Sequence, residues 1–137
     1  MPRYEPLDHT ADSGIIAYGA DLPELFENAA FGLFDLMFDL SALHTGREQD
    51  VSVEAEGLEE LLVAWLEELL FRAESEGLAF LAFSVRELDE KSLRGVAKGV
   101  SSEGVELVGP PIKAVTYHDL QVTEVDEGWQ ARVIFDV

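Results

Sequence analysis

Gln49-Asp50-Val51-Ser52-Val53-Glu54-Ala55-Glu56-Gly57-Leu58-Glu59-Glu60-Leu61-Leu62-Val63-Ala64-Trp65-Leu66 changes its period at the glycine. Before Gly57, apolar and polar residues alternate, which sends successive side chains to opposite faces and reads as a strand with one wet face. After it, Leu58, Leu61, Leu62, Trp65, Leu66, Leu69, Leu70 and Ala73 recur at helical spacing. This is an amphipathic helix, and Gly77 is its stop signal. Its acidic residues, Glu59, Glu60, Glu67, Glu68, Glu74 and Glu76, are expected to face solvent.

Working outward, the N-terminal side holds a second helix. Asp21 can cap it, Pro23 fits its first turn and Glu24 follows three residues after the cap. Leu22, Leu25, Phe26, Ala29, Ala30, Leu33, Phe34 and Met37 form its buried stripe, with Glu24, Glu27, Asn28 and Asp35 on the other side. Ahead of it, Tyr4 to Leu7 and Ile15 to Tyr18 read as a hairpin of two short strands. On the C-terminal side the pattern is all strand: Leu78 to Leu88, Ser92 to Val100, Ile112 to Val125 and Trp129 to Val137. Asp89-Glu90 and Asp126-Glu127-Gly128 are turn sequences. Ser101 to Pro111, with two glycines and two prolines, is expected to be a mobile loop. Arg86, Lys91, Arg94 and Lys98 make a small basic island, most simply paired with acidic neighbours. Two helices and about seven strands predict an α+β domain, a two-layer sandwich with both amphipathic helices packed on one face of a mostly antiparallel β-sheet. Residues 1–137 read as a single domain, long enough for one hydrophobic core.

The chain has nine Lys plus Arg against 28 Asp plus Glu, a net charge of −19. Gripping a nucleic-acid backbone requires cations to neutralise phosphates, so direct nucleic-acid binding is not expected. The acidity either serves solubility or attracts a basic protein surface or metal ions. Cysteine is absent, which excludes disulfides and thiolate metal sites. No signal peptide or membrane-spanning run is present, and a cytoplasmic location is expected. Neither a Gly-x-Gly-x-x-Gly nor a Gly-x-x-x-x-Gly-Lys-Ser/Thr phosphate loop occurs, so nucleotide hydrolysis by this chain alone is disfavoured.

The densest polar chemistry lies in Asp8-His9-Thr10-Ala11-Asp12-Ser13-Gly14, on the connection between the first two strands. Polar groups so close together are costly to bury unless they are paired or bind something. Asp136 at the far end adds a carboxylate, and Val137 another, if the fold brings the ends together. Asp8, Asp12, Asp119 and Asp136 are oxygen donors of the kind that hold Ca²⁺, Mg²⁺ or Mn²⁺. His9 and His118 are candidate ligands or bases, though an imidazole that orients a carboxylate or closes a turn is the more ordinary role. If Thr116-Tyr117-His118-Asp119 lies within a strand, Thr116 shares a face with His118, and Tyr117 with Asp119. Ser13 lacks a nucleophile-elbow context, so a catalytic triad has little support.

Four motifs in order resemble the archease family: His9-Thr10-Ala11-Asp12 followed by Gly14-Ile15, the helix from Leu61 to Leu70, Ile112 to His118, and the closing Ile134-Phe135-Asp136-Val137. The resemblance runs nearly end to end. It implies a non-enzymatic activator of the RtcB-type RNA ligase of tRNA splicing and RNA repair, one that promotes guanylate transfer from GTP to the ligase histidine and repeated turnover. It also implies a metal site made by Asp12 and Asp136, with Val137 supplying the remaining protein oxygen, for a divalent cation: Ca²⁺ first, with Mg²⁺ or Mn²⁺ as alternatives. Ser13 departs from the apolar residue common at that position in the family. Two other classes stay open. A chaperone or modulator of another RNA-modifying enzyme would use the acidic helix faces and not Asp12, whereas a metal-dependent hydrolase would turn over without a partner.

Overall fold

The computed structural model describes residues 2–7 and 13–137. In chain order the elements are β1 (Tyr4–Pro6), β2 (Ser13–Gly19), α1 (Leu22–Asp35), β3 (Arg47–Glu54), α2 (Leu58–Glu76), β4 (Leu78–Leu88), β5 (Ser92–Ser101), β6 (Ala114–Val115), β7 (Gln121–Val125) and β8 (Gly128–Asp136). The architecture is α+β, two helices packed on antiparallel sheets. The strands divide between two sheets where a single sheet was expected. One has the order β1-β2-β8-β6 with β7 also on β8, and the other the order β3-β5-β4.

Both helices begin and end as their sequences dictate. The Asp21 carboxylate accepts from the Glu24 N–H at 2.9 Å, satisfying an orphan donor of the first turn, and the Glu24 carboxylate accepts from the Ala20 N–H, just ahead of the cap, at 2.9 Å. At the other extreme, α2 stops where Gly77 turns left-handed with φ +66°, a conformation that would strain any side chain. Leu25, Phe26, Leu33 and Phe34 of α1 and Leu61, Leu62, Trp65 and Leu66 of α2 are wholly buried in one core cluster with Ile15, Phe80 and Phe135. The Trp65 indole satisfies its N–H on the Phe26 carbonyl at 3.0 Å, which locks the two helices together without an orphaned donor.

Four local expectations are corrected. Asn28 is buried, not on a wet face: its amide donates to the Tyr18 carbonyl at 2.7 Å and accepts from Arg3 Nε at 3.0 Å. The predicted strand from Ile112 to Val125 is broken into β6 and β7, with Thr116 to Leu120 leaving the sheet between them. Asp119, with φ +52°, turns the chain there, so the strand-like face-sharing of Thr116 with His118 does not apply. The stretch from Ser101 to Pro111 is tied down, since Asp39 N–H donates to the Glu106 carbonyl and Val108 N–H to the Met37 carbonyl, both at 2.9 Å.

The fourth correction concerns the acids on the helices. Glu67 of α2 accepts from the Val115 N–H at 2.9 Å and Glu59 from the Val122 N–H at 3.2 Å. The N–H of Thr116, next to Val115, is donated to β8, whereas the Val115 N–H turns to the helix. Helix α2 therefore closes the side of the five-stranded sheet that β6 and β7 leave open. Glu27 of α1 does the same for the Val85 N–H at 2.8 Å, beside an irregularity in β4. Of the basic island, Arg94 reaches Glu87 at 3.3 Å with both side chains exposed, and Lys98 stands opposite Glu48 across β3 and β5. Such exposed pairs contribute little to stability.

Candidate functional site

Strand β8 carries Asp136 to the end of the five-stranded sheet. It has β2 on one side and β6 and β7 in succession on the other. Ile134 and Phe135 are buried at 3% and 1% exposure, while Asp136 is exposed and Val137 is 41% exposed. The end of β8 thus puts an anchored aromatic ring immediately before a solvent-facing carboxylate. The Asp136 carbonyl accepts from the Lys113 N–H at 2.7 Å, so its backbone is held by the sheet. Among the described residues none donates a hydrogen bond or an ion pair to the Asp136 carboxylate. The Asp136 carboxylate thus faces solvent from a backbone that the sheet holds.

Ser13, the first residue of β2, pairs with Phe135, next to Asp136. Asp8, His9, Thr10, Ala11 and Asp12 lie outside the described residues, so the partner carboxylate expected from Asp12 has no geometry here. The segment between β6 and β7 flanks the same end of β8. Thr116 donates to the Ile134 carbonyl twice, from its N–H at 2.9 Å and its hydroxyl at 3.0 Å, and the His118 N–H donates to the Thr116 hydroxyl at 3.3 Å. His118 Nε2 lies 3.4 Å from Asp119 Oδ2, with both side chains exposed. That contact is of the carboxylate-orienting kind that the sequence made the ordinary account for His118.

Among the described residues no three His, Asp or Glu side chains converge as a metal cluster; Asp12 is not among them. The side-chain donor at the end of β8 is the Asp136 carboxylate, an oxygen group of the kind that hard divalent cations prefer. The sequence did not reveal the groups that hold β6 and β7 beside β8, Glu67 and Glu59. No signal within the helix separates them from the four other acids on its face, because what distinguishes them is the strand that arrives from more than 40 residues away.

Comparison with known proteins places the whole arrangement. The sequence matches the archease protein family over residues 4–137. The chain belongs to the archease family. It is 38% identical to the protein archease of Methanosarcina acetivorans, with 98% of this chain and 96% of the relative aligned. To the protein archease of Methanothermobacter thermautotrophicus it is 39% identical over the full length of both. The fold superposes on the solution structure of a Methanobacterium thermoautotrophicum protein with a TM-score of 0.81 at 37% identity, covering all of both chains. It also resembles the crystal structure of an archease from Thermotoga maritima, described as a possible chaperone, with a TM-score of 0.65 at 22% identity over 97% of this chain and 96% of that one. At that identity the second likeness speaks for the archease fold alone. Among the described residues no helix is long and apolar enough to cross a membrane.

Proposed function

We propose that this chain is a non-enzymatic, cytoplasmic activator of the RtcB-type RNA ligase, promoting GTP-dependent guanylylation of that enzyme and its repeated turnover through an acidic tip. The observation that carries the reading is the solvent-facing Asp136 carboxylate on an immobilised backbone, in a chain that belongs to the archease family. Asp12, Asp136 and Val137 are the residues that would hold a divalent cation, Ca²⁺ or else Mg²⁺ or Mn²⁺. Such an ion supplies charge neutralisation at phosphate oxygens. The chain's own part is to present the carboxylates at a fixed place and to draw the tip, by its net charge of −19, toward a basic nucleotide-binding cleft.

The test is guanylylation of the cognate ligase by GTP, with and without this protein. Asp136→Ala leaves the thermal transition in place, because the side chain is exposed and has no partner among the described residues, and removes the stimulation. Full stimulation by a folded Asp136→Ala variant would refute the tip mechanism. A second reading, a chaperone for an RNA-modifying enzyme, draws on the description of the Thermotoga maritima structure. It differs in outcome: a chaperone effect would survive Asp136→Ala.

A further inference from the structure

Beside the tip, the surface carries an apolar groove that none of the chemistry above uses. It has a volume of about 400 Å³ and runs between the end of α1, the last turns of α2 and the chain leading into β6, with Phe38, Leu70, Ala73, Glu74, Ile112 and Lys113 in its walls. Exposed apolar side chains adjoin its walls. Leu107 and Val108 are 60% and 57% exposed, and they are fastened to the groove wall through the Phe38–Leu107 bridge and the Val108 N–H to Met37 carbonyl bond. Phe71, 66% exposed, projects from α2 next to Leu70 and one turn before Glu74.

The groove is continuous with the tip. Lys113, in its wall, donates its N–H to the carbonyl of Asp136. Among the described residues, the other two large hydrophobic side chains left exposed are Tyr117 and Val137, both at the tip itself. Apolar surface that a folded chain leaves open at one place, and not scattered, marks an interaction site. Acidic residues border it: Glu74 in the wall, and Asp39 and Glu106 joined by the Asp39 N–H to Glu106 carbonyl bond.

The charge decides what fits. A second copy would bring −19 against −19, acid against acid across the same rim, and an anionic lipid surface meets the same objection. We infer that the groove seats a segment of the protein that receives the tip, a segment carrying a large apolar side chain between lysines or arginines. This inference rests on the activator reading and adds a second, separable point of attachment to it. Attachment through the groove sets how tightly the partner is held, and the carboxylates set what happens once it is held. The two roles divide between binding affinity and the maximal effect at saturation.

The experiment measures both quantities on the full chain. Binding to immobilised cognate ligase and guanylylation of that ligase are titrated with the wild-type protein and with Phe71→Ser/Val108→Ser, Asp136→Ala and the triple variant. The thermal transition of each is recorded first, and Phe71 and Val108 are exposed enough to be replaced without loss of the fold. The groove variant is expected to weaken binding about tenfold while leaving maximal guanylylation unchanged, the signature of losing a peripheral hot spot. Unchanged binding by that variant overturns the inference. So does a wild-type dimer in sedimentation velocity that the groove variant dissociates, since the occupant would then be a second copy. Binding that the groove variant weakens, with no stimulation by the wild type, keeps the groove and sinks the activator reading. Absence of any wild-type binding sinks both.

Discussion

Tyr4 shows how one side chain ties the N-terminal strand to the helix beneath it. Its hydroxyl donates to the Asp35 carboxylate at 2.6 Å, and its ring meets Phe31 edge-on with centroids 6.1 Å apart. The preceding residue reinforces this, with the Arg3 guanidinium 3.8 Å from the centre of the Phe31 ring. Burial, and then the neighbouring Asp35 carboxylate, raise the Tyr4 phenol well above its ordinary pKa of 10.0, because both disfavour the phenolate. The folded chain therefore holds the phenolic proton more tightly than the unfolded chain does. Its contribution to stability is complete below about pH 10 and is lost as pH rises through the higher folded value. Tyr4→Phe is expected to cost about 1.5–3 kcal/mol in urea unfolding at neutral pH, the scale of a hydrogen bond to a charged acceptor. It should also reduce the loss of stability between neutral pH and about pH 11. An alkaline slope identical to wild type would show that the proton is not held at Tyr4. Tyr18, whose hydroxyl donates to Glu5 at 2.9 Å and whose pKa is also raised by burial, contributes to the slope that remains.

At the scale of elements, α2 is both a core helix and a row of acceptors for the strands beside it. Removing the Glu67 carboxylate leaves the Val115 N–H without its partner in a partly buried place, which costs about 1–3 kcal/mol. Glu67→Ala is expected to show that loss in chemical denaturation together with faster hydrogen exchange at the Val115 amide, whereas Glu67→Gln keeps a carbonyl acceptor and restores most of both. Equal exchange in Glu67→Ala and wild type would mean that the bond contributes nothing to holding β6. This element also shows what can be read in a sequence. The change of period at Gly57, the Asp21 cap and the Gly77 stop are local facts, and each was legible because the residues that decide it are neighbours in the chain. The choice of Glu67 and Glu59 from a helix full of acids, the burial of Asn28 between Arg3 and Tyr18, and the break at Asp119 are decided by segments that arrive from elsewhere. Alternating residues between Ile112 and Val125 satisfied the strand pattern without revealing that five of them leave the sheet.

For the molecule as a whole, charge and topology act together. Nine basic against 28 acidic residues produce a field that reaches well beyond any contact, and salt screens it over a distance of about 8 Å at physiological strength. The association rate with a basic partner is expected to fall about tenfold or more between low and high salt, measured by stopped flow, with a smaller change in the dissociation rate. A salt-independent association rate would show that the acidity plays no part in the encounter. That Asp136 ends a strand was legible, since Trp129 to Val137 reads as one and β8 runs from Gly128 to Asp136. The groove was not, because its walls come from α1, α2 and the approach to β6, and each segment alone reads as ordinary core. Helix α2 has one more consequence. It stands between the outward N–H groups of β6 and β7 and any other chain, so a molecule whose α2 loosens offers an unpaired ladder to whatever strand comes near. In concentrated solution that strand belongs to another copy, and mutual repulsion is then what keeps the copies apart. Damage to the helix and loss of surface charge together turn this chain into a seed for strand addition between molecules.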